Sequence, residues 1–179
     1  MQAERKVSGR FVEWLFEGAR GGPMAQSLRA SGLDLDAVTV DYPADRLPHW
    51  LTLLSESQHP RTGRGEALRR TGFEVARRNG LTARTLAQVM SDLPSSAQRI
   101  GNFLEVSVRE QGPHRYVAHF DDVALLPTFF LGVLQGVTST TSGPSEVTWS
   151  PEGLSGARYH VTVAREPALI DVMISSPGS

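Results

Sequence analysis

Five histidines are the side chains in this sequence best suited to proton transfer or metal ligation: His49, His59, His114, His119 and His160. None stands at a spacing such as H-x-x-x-H, which would put two imidazoles on one helical face around a metal. His119 and His160 fall on outward positions of two expected strands and read as solvated. His59 and His114 lie in loops beside prolines and read as surface. Carboxylates are paired at Asp34/Asp36 and Asp121/Asp122. Acid–base work needs a pocket that shifts their pKa values. Both pairs sit at the ends of expected elements, where capping and solvation account for them. The chain has no cysteine, so disulfides, thiolate nucleophiles and cysteine metal sites are excluded together. The hydroxyl-rich run TSTTSGPS has no base to activate a serine. The phosphate-cradling patterns G-x-x-x-x-G-K-[ST] and G-x-G-x-x-G do not occur, and GARGGP has no strand before it. The expectation is a protein with no catalytic constellation and no metal, and thus no enzyme.

Charge is concentrated in one place. Arg61, Arg64, Arg69, Arg70, Arg77, Arg78 and Arg84 fall within one stretch, which is a candidate surface for an acidic partner or nucleic acid. Glu66–Arg70 and Glu74–Arg78 are spaced i,i+4, however, and aromatic residues for base stacking are missing apart from Phe73. A solvated helix face is the simpler reading, and no nucleic-acid partner is expected. The net charge of −1 exerts no global pull on polyanions. Arg99 and Asn102, just before the first long strand, form a candidate anion contact; Arg99 can equally cap the last carbonyls of a helix.

These residues must be positioned by elements that the pattern of apolar residues exposes. GRFVEWLFEGARGG has Phe11, Leu15, Phe16 and Ala19 at helical spacing. MAQSLRASGLDLD follows as a second helix with Gly32 at a left-handed C-cap position, and VTVDYP runs extended into Pro43. ADRLPHWLTLLSES places Leu47, Trp50, Leu51 and Leu54 on one face, with Pro48 in its first turn. EALRRTGFEVARRNG turns Leu68, Gly72, Val75 and Ala76 inward and stops at Asn79-Gly80. LTARTLAQVMSDL has Thr82 as N-cap and buries Leu86, Val89, Met90 and Leu93. After PSSAQRIG the period falls from 3.6 to 2. NFLEVSVREQ and HRYVAHF form one hairpin, and EVTWS and ARYHVTVAR a second, with a helix from about Pro127 between them. The fold class is therefore α+β: N-terminal helices packed on one face of an antiparallel four- or five-stranded sheet, in the order helices–hairpin–helix–hairpin. A single domain is expected, with its core over about residues 9–165 and an extra strand or tail over 166–179. No signal peptide or membrane span is apparent, and a cytoplasmic setting is expected.

The helix LPTFFLGVLQGV carries Thr128, Gly132 and Gly136 at i, i+4 and i+8. Glycine inside a helix costs up to ~1 kcal/mol relative to alanine. The stripe reads as a seam for close backbone packing. Any apolar ligand pocket between helices and sheet would be lined by Trp50, Leu54, Leu86, Met90, Phe129, Phe130 and Val133.

Several stretches together resemble a paralogous family of uncharacterised proteins expanded in myxobacteria: SLRASGLDLD, DYPADRLPHWLTLL, EALRRTGFEVARR, RIGNFLEVSVREQGPHRY, PTFFLGVLQGV and ARYHVTV. The chain departs from that family's pattern at RNGLTARTLAQ and VTVAREPALIDVMIS. The family in turn is similar to a superfamily that includes the vinyl-4-reductase sensory domain, transport-protein-particle subunits and haem–nitric oxide/oxygen-binding domains. FFLGVLQG matches that group's FLxGxLxG-like run. The resemblance implies helices wrapped on a sheet, with small-molecule sensing, protein docking or dimerisation as the task. The haem-binding relatives use a helical histidine and a Tyr-x-Ser-x-Arg run. The nearest text here, YHVTVAR, has Val161 two residues after Tyr159, so haem is not expected and no other cofactor is. The function expected is a non-catalytic regulatory or sensory module binding a small apolar ligand, a protein partner, or both. The alternative is a dimerising interaction scaffold with no ligand.

Overall fold

The computed structural model describes residues 4–78, 85–122, 126–141, 145–153 and 156–163. The helical half comprises β1 (Lys6–Ser8), α1 (Gly9–Leu15), α2 (Pro23–Ala30), β2 (Asp41–Pro43), α3 (Leu47–Gln58), α4 (Arg64–Arg78) and α5 (Leu86–Ile100). The sheet half comprises β3 (Leu104–Gly112), β4 (Arg115–Asp122), α6 (Pro127–Thr141), β5 (Ser145–Glu152) and β6 (Gly156–Val163). The order helices–hairpin–helix–hairpin and the α+β class are thus as the periodicity predicts. The main sheet is antiparallel with strand order β3-β4-β6-β5.

Alternation sets the two faces of that sheet. Tyr116, Ala118 and Phe120 of β4 and Ala157, Tyr159 and Val161 of β6 are buried. Their neighbours His119, Arg158 and His160 face outward, and no helix among the described residues covers them. The inward face is met by α6, which also packs on α4 and so joins the two halves. Phe120 contacts Phe130 and Tyr159 with ring centroids 5.2 and 4.8 Å apart, and the Tyr159 hydroxyl donates to the Pro127 carbonyl at 2.7 Å.

Local chemistry accounts for the element ends. In α2, Gly32 takes φ +91° and Leu33 N–H reaches back to Leu28 O at 2.8 Å, the wrapped C-terminus that only glycine adopts cheaply. The first hairpin turns at Pro113-His114, where His114 has φ 61°, after a register shift between Glu110 and Gly112.

Four expectations are corrected. A second, two-stranded sheet pairs β1 with β2, Val7 opposite Tyr42; three-residue strands are too short for alternation to reveal. In α1 it is Val12, Leu15 and Phe16 that are buried, and Phe11 only partly. The described N-cap of α5 is Thr85, whose hydroxyl accepts from Gln88 N–H at 3.3 Å while the Gln88 side chain accepts from Thr85 N–H at 3.0 Å; Thr82 and Asn79-Gly80 lie outside the described residues. Finally, α5 does not stop before PSSAQRIG. It continues through Pro94 to Ile100, so proline here forgoes one backbone hydrogen bond without ending the helix. The expected last strand beyond residue 165 lies outside the described residues.

Candidate functional site

The residues expected to line an apolar pocket are in the core. Trp50, Leu54, Leu86, Met90, Phe129 and Phe130 are buried in one continuous cluster, against which Val133 packs. Trp50 meets Tyr42 edge-on and its indole N–H reaches Ser31 O at 3.3 Å. None of these seven lines either of the clefts beside α1 described below.

The small-residue stripe lies against α4, not against the sheet. A methyl group on Gly132 would stand 1.9 Å from the Arg69 carbonyl oxygen, and one on Gly136 2.6 Å from that of Phe73. Gly72 of α4 reciprocates, its absent methyl 2.2 Å from the Phe129 carbonyl oxygen. Thr128, one turn earlier, is half-buried. Arg69 also crosses this seam, holding Glu66 at 2.6 Å and the Gln135 side chain at 2.7 Å. With Arg69 first and Arg70 second as its donors, the Glu66 carboxyl falls to a pKa of about 2.

The candidate anion contact is engaged elsewhere. Asn102 accepts from Lys6 N–H at 2.6 Å and donates to Glu4 O at 3.2 Å, so its amide clasps the N-terminal strand to the α5–β3 junction. Among the described residues Arg99 reaches only the Ser95 carbonyl of its own helix, at 3.4 Å. The arginines of α4 and its approach mostly meet neighbours: Arg64 bonds Thr52, Arg77 lies 5.8 Å above the Phe73 ring, and Arg78 stands 3.8 Å from Glu74. Arg84 lies outside the described residues.

Asp34 and Asp36 are both held by Arg29, at 3.0 and 2.8 Å, and the Arg29 hydrogen bond depresses the Asp34 carboxyl, helped by the Asp36 N–H. The Asp122 side chain lies outside the described residues. His49, His114 and His160 are exposed. His119, on the outer sheet face, sits with Nδ1 2.6 Å from Glu152, which also pairs with Arg158. His59 is not simply a surface residue: its Nε2 is buried, 3.6 Å from Glu74 on α4. Among the described residues no three metal-ligating side chains converge. No described helix is long and apolar enough to cross a membrane.

Two clefts flank α1. One is an open, polar hollow of about 560 Å³ between Arg10, Glu13 and Arg20 on one side and the loop from Leu35 to Val40 on the other. The second is more enclosed, about 330 Å³, between the end of α1 and the end of α4. Its walls are Trp14, Leu15 and Val75, and Glu17, Gly18 and Arg78 complete it. Sequence reasoning missed this site because Leu15 and Val75 read as ordinary core and lie far apart in the chain. The half-buried indole in FVEWLF was the available signal.

Among solved structures the chain is similar to a haem protein in which protein-induced porphyrin distortion modulates the redox potential. The identity is 14%, the TM-score 0.68, and the match covers 88% of this chain and all of that one. It is similar also to a structure described for the molecular mechanism of H-NOX activation, at 13% identity over 87% and 95% of the two chains with TM-score 0.67. An oxygen-binding H-NOX domain related to soluble guanylate cyclases matches at 14% identity over 86% and 89%, with TM-score 0.60. At such identities the likeness is one of fold. A haem between helices and sheet would need a flat slot and an axial donor. Here Phe120, Phe129, Phe130 and Tyr159 fill the space between α6 and the sheet, and no described histidine side chain enters it. Among the described residues that space therefore offers no histidine as an axial ligand. In sequence, no curated protein matches the chain. The family model for proteins of unknown function DUF2378 matches residues 2–162, and the chain belongs to that family.

Proposed function

We propose that this chain is a non-catalytic regulatory module that binds a small, largely apolar ligand in the cleft between α1 and α4, without haem. The observation that carries the reading is the cleft itself. Its volume of about 330 Å³ falls at the lower end of small-molecule sites, which run from ~300 to ~1,000 Å³. Its walls join an indole to aliphatic side chains, and they are drawn from two helices distant in the chain. The fold shared with H-NOX domains is consistent with a sensory task. Native mass spectrometry of the protein as purified tests the proposal. A stoichiometric extra mass, released by organic solvent and lost in Gly18→Phe, is the expected result; nothing stands within 4 Å of a methyl group built at Gly18, so the ring has room to fill the cleft without disturbing the core. A clean apo mass in every preparation overturns the ligand. A Soret band that persists through purification overturns the haem-free reading.

A dimerising scaffold is the second reading. Its supporting observation is edge strand β5, which carries Trp149 at 37% exposure. Sedimentation showing a dimer that Trp149→Ser dissociates would favour it over the ligand.

A further inference from the structure

The α1–α4 cleft has one charged residue from each side among its apolar lining. Glu17 comes from the short helical turn after α1, and it is exposed with no ion pair among the described residues. Arg78 comes from the last residue of α4, its only ion pair among the described residues being the loose 3.8 Å approach to Glu74. The two do not bridge each other across the cleft. Of the apolar lining, Leu15 and Val75 are 2% and 5% exposed, and Trp14 is half-buried against Phe11 with ring centroids 5.7 Å apart.

Resting on the proposed ligand site, we propose that the ligand is a small zwitterion with an apolar body, of the kind a free aliphatic or aromatic amino acid represents. A wholly apolar molecule would leave both charges unused. A simple carboxylate would meet Arg78 but also face Glu17, and a simple amine the reverse. A molecule bearing both groups satisfies the two walls together: its carboxylate accepts from the Arg78 guanidinium, its ammonium donates to Glu17, and its side chain replaces water against Trp14, Leu15 and Val75. The opposite signs also give polarity, because the acid end must lie toward α4 and the amine end toward α1.

The test is an NMR titration of the whole chain with L-leucine and L-phenylalanine, each compared with its N-acetyl form, which lacks the ammonium, and its amide, which lacks the carboxylate. The Trp14 indole N–H is the reporter. Both parent amino acids are expected to shift it, with either blocked form weaker by on the order of tenfold, as loss of one charge-assisted hydrogen bond implies. Arg78→Ala should weaken the parent compounds but leave the amides unchanged, and Glu17→Gln should do the same with respect to the N-acetyl forms. Arg10→Ala, in the other cleft, should change nothing. Both substituted side chains in the proposed site are exposed, so folding is not at issue. Equal binding of parent and blocked compounds overturns the zwitterion while leaving the cleft as an apolar site. No shift at Trp14 while native mass spectrometry shows a bound mass also overturns it, placing a different ligand class in the protein. No shift and no bound mass remove the ligand reading as well.

Discussion

Replacing Gly132 with alanine should destabilise the protein even though alanine is the better helix former. The exchange gains up to ~1 kcal/mol of helix propensity. Against this, the new methyl would stand 1.9 Å from the Arg69 carbonyl oxygen, where van der Waals contact requires roughly 3.5 Å. The obstacle is backbone, which cannot swing aside as a side-chain tip does. Helices α4 and α6 must separate by more than an ångström, and the reciprocal approach of Gly72 to the Phe129 carbonyl opens with them. Overpacking of this kind costs about 1–3 kcal/mol and occasionally more, and the rigid obstacle puts this site at the upper end. A net loss of about 2 kcal/mol follows. In a chain of this length each kcal/mol moves Tm by about 2–4 °C, so Gly132→Ala should melt roughly 4–8 °C lower by calorimetry or circular dichroism. Gly65→Ala is the internal control. It lies in the first turn of α4 with nothing within 4 Å of the new methyl, so Tm should hold or rise slightly. A Gly132→Ala protein as stable as the parent would refute close backbone contact as the reason for glycine there.

Three further outcomes follow from the geometry. Thr85→Ala should cost about 1 kcal/mol by removing the α5 cap, and Thr85→Ser should restore most of it, as read by urea unfolding. Asn102→Ala should release the N-terminal strand, so that the Lys6 and Ala44 amides exchange faster while the β4 and β6 amides keep their protection. Glu66 has its pKa lowered from 4.5 to about 2, so its contribution is fully present above the ordinary value and is lost as pH falls from 4.5 through 2. With that side chain 38% exposed, the contribution is below about 1 kcal/mol. Glu66→Gln should flatten the acid limb of the stability curve by that much and leave stability at pH 7 lower; an acid limb identical to the parent's would contradict the Arg69 pairing.

The fold was legible wherever a single period ran long enough. Twelve residues of α3 and the alternation of β3 and β4 declare themselves, because one buried face must repeat with the geometry of its element. Strands β1 and β2 do not, since three residues contain one inward side chain each and any tripeptide matches that. Pro94 misled because proline is read as a stop, whereas packing of Leu86, Met90 and Ala97 on one face holds α5 together across it. The site was harder still. Apolar residues at helical spacing look alike whether they fill a core or line a cleft, and Leu15 and Val75 differ from Trp50 and Met90 only in what α1 and α4 leave between them. Asn102 looked like a ligand-facing polar residue. Its partners Glu4 and Lys6 lie 98 and 96 residues earlier in the chain, a pairing that no local spacing signals.

The strand order β3-β4-β6-β5 also constrains the sequence of events as the chain is made. The β3–β4 hairpin can close as soon as it emerges. Helix α6 and then β5 appear next, and β5 has no partner yet, because its sole neighbour in the sheet among the described residues is β6. Until β6 is synthesised, the exit side of β4 and both edges of β5 remain open, with the aromatic face of α6 beside them. The arrival of Gly156–Val163 fills the gap and joins both hairpins at once. A nascent chain stalled before that point is therefore the species most exposed to unwanted strand pairing, and the one on which a ribosome-associated chaperone would have most to do.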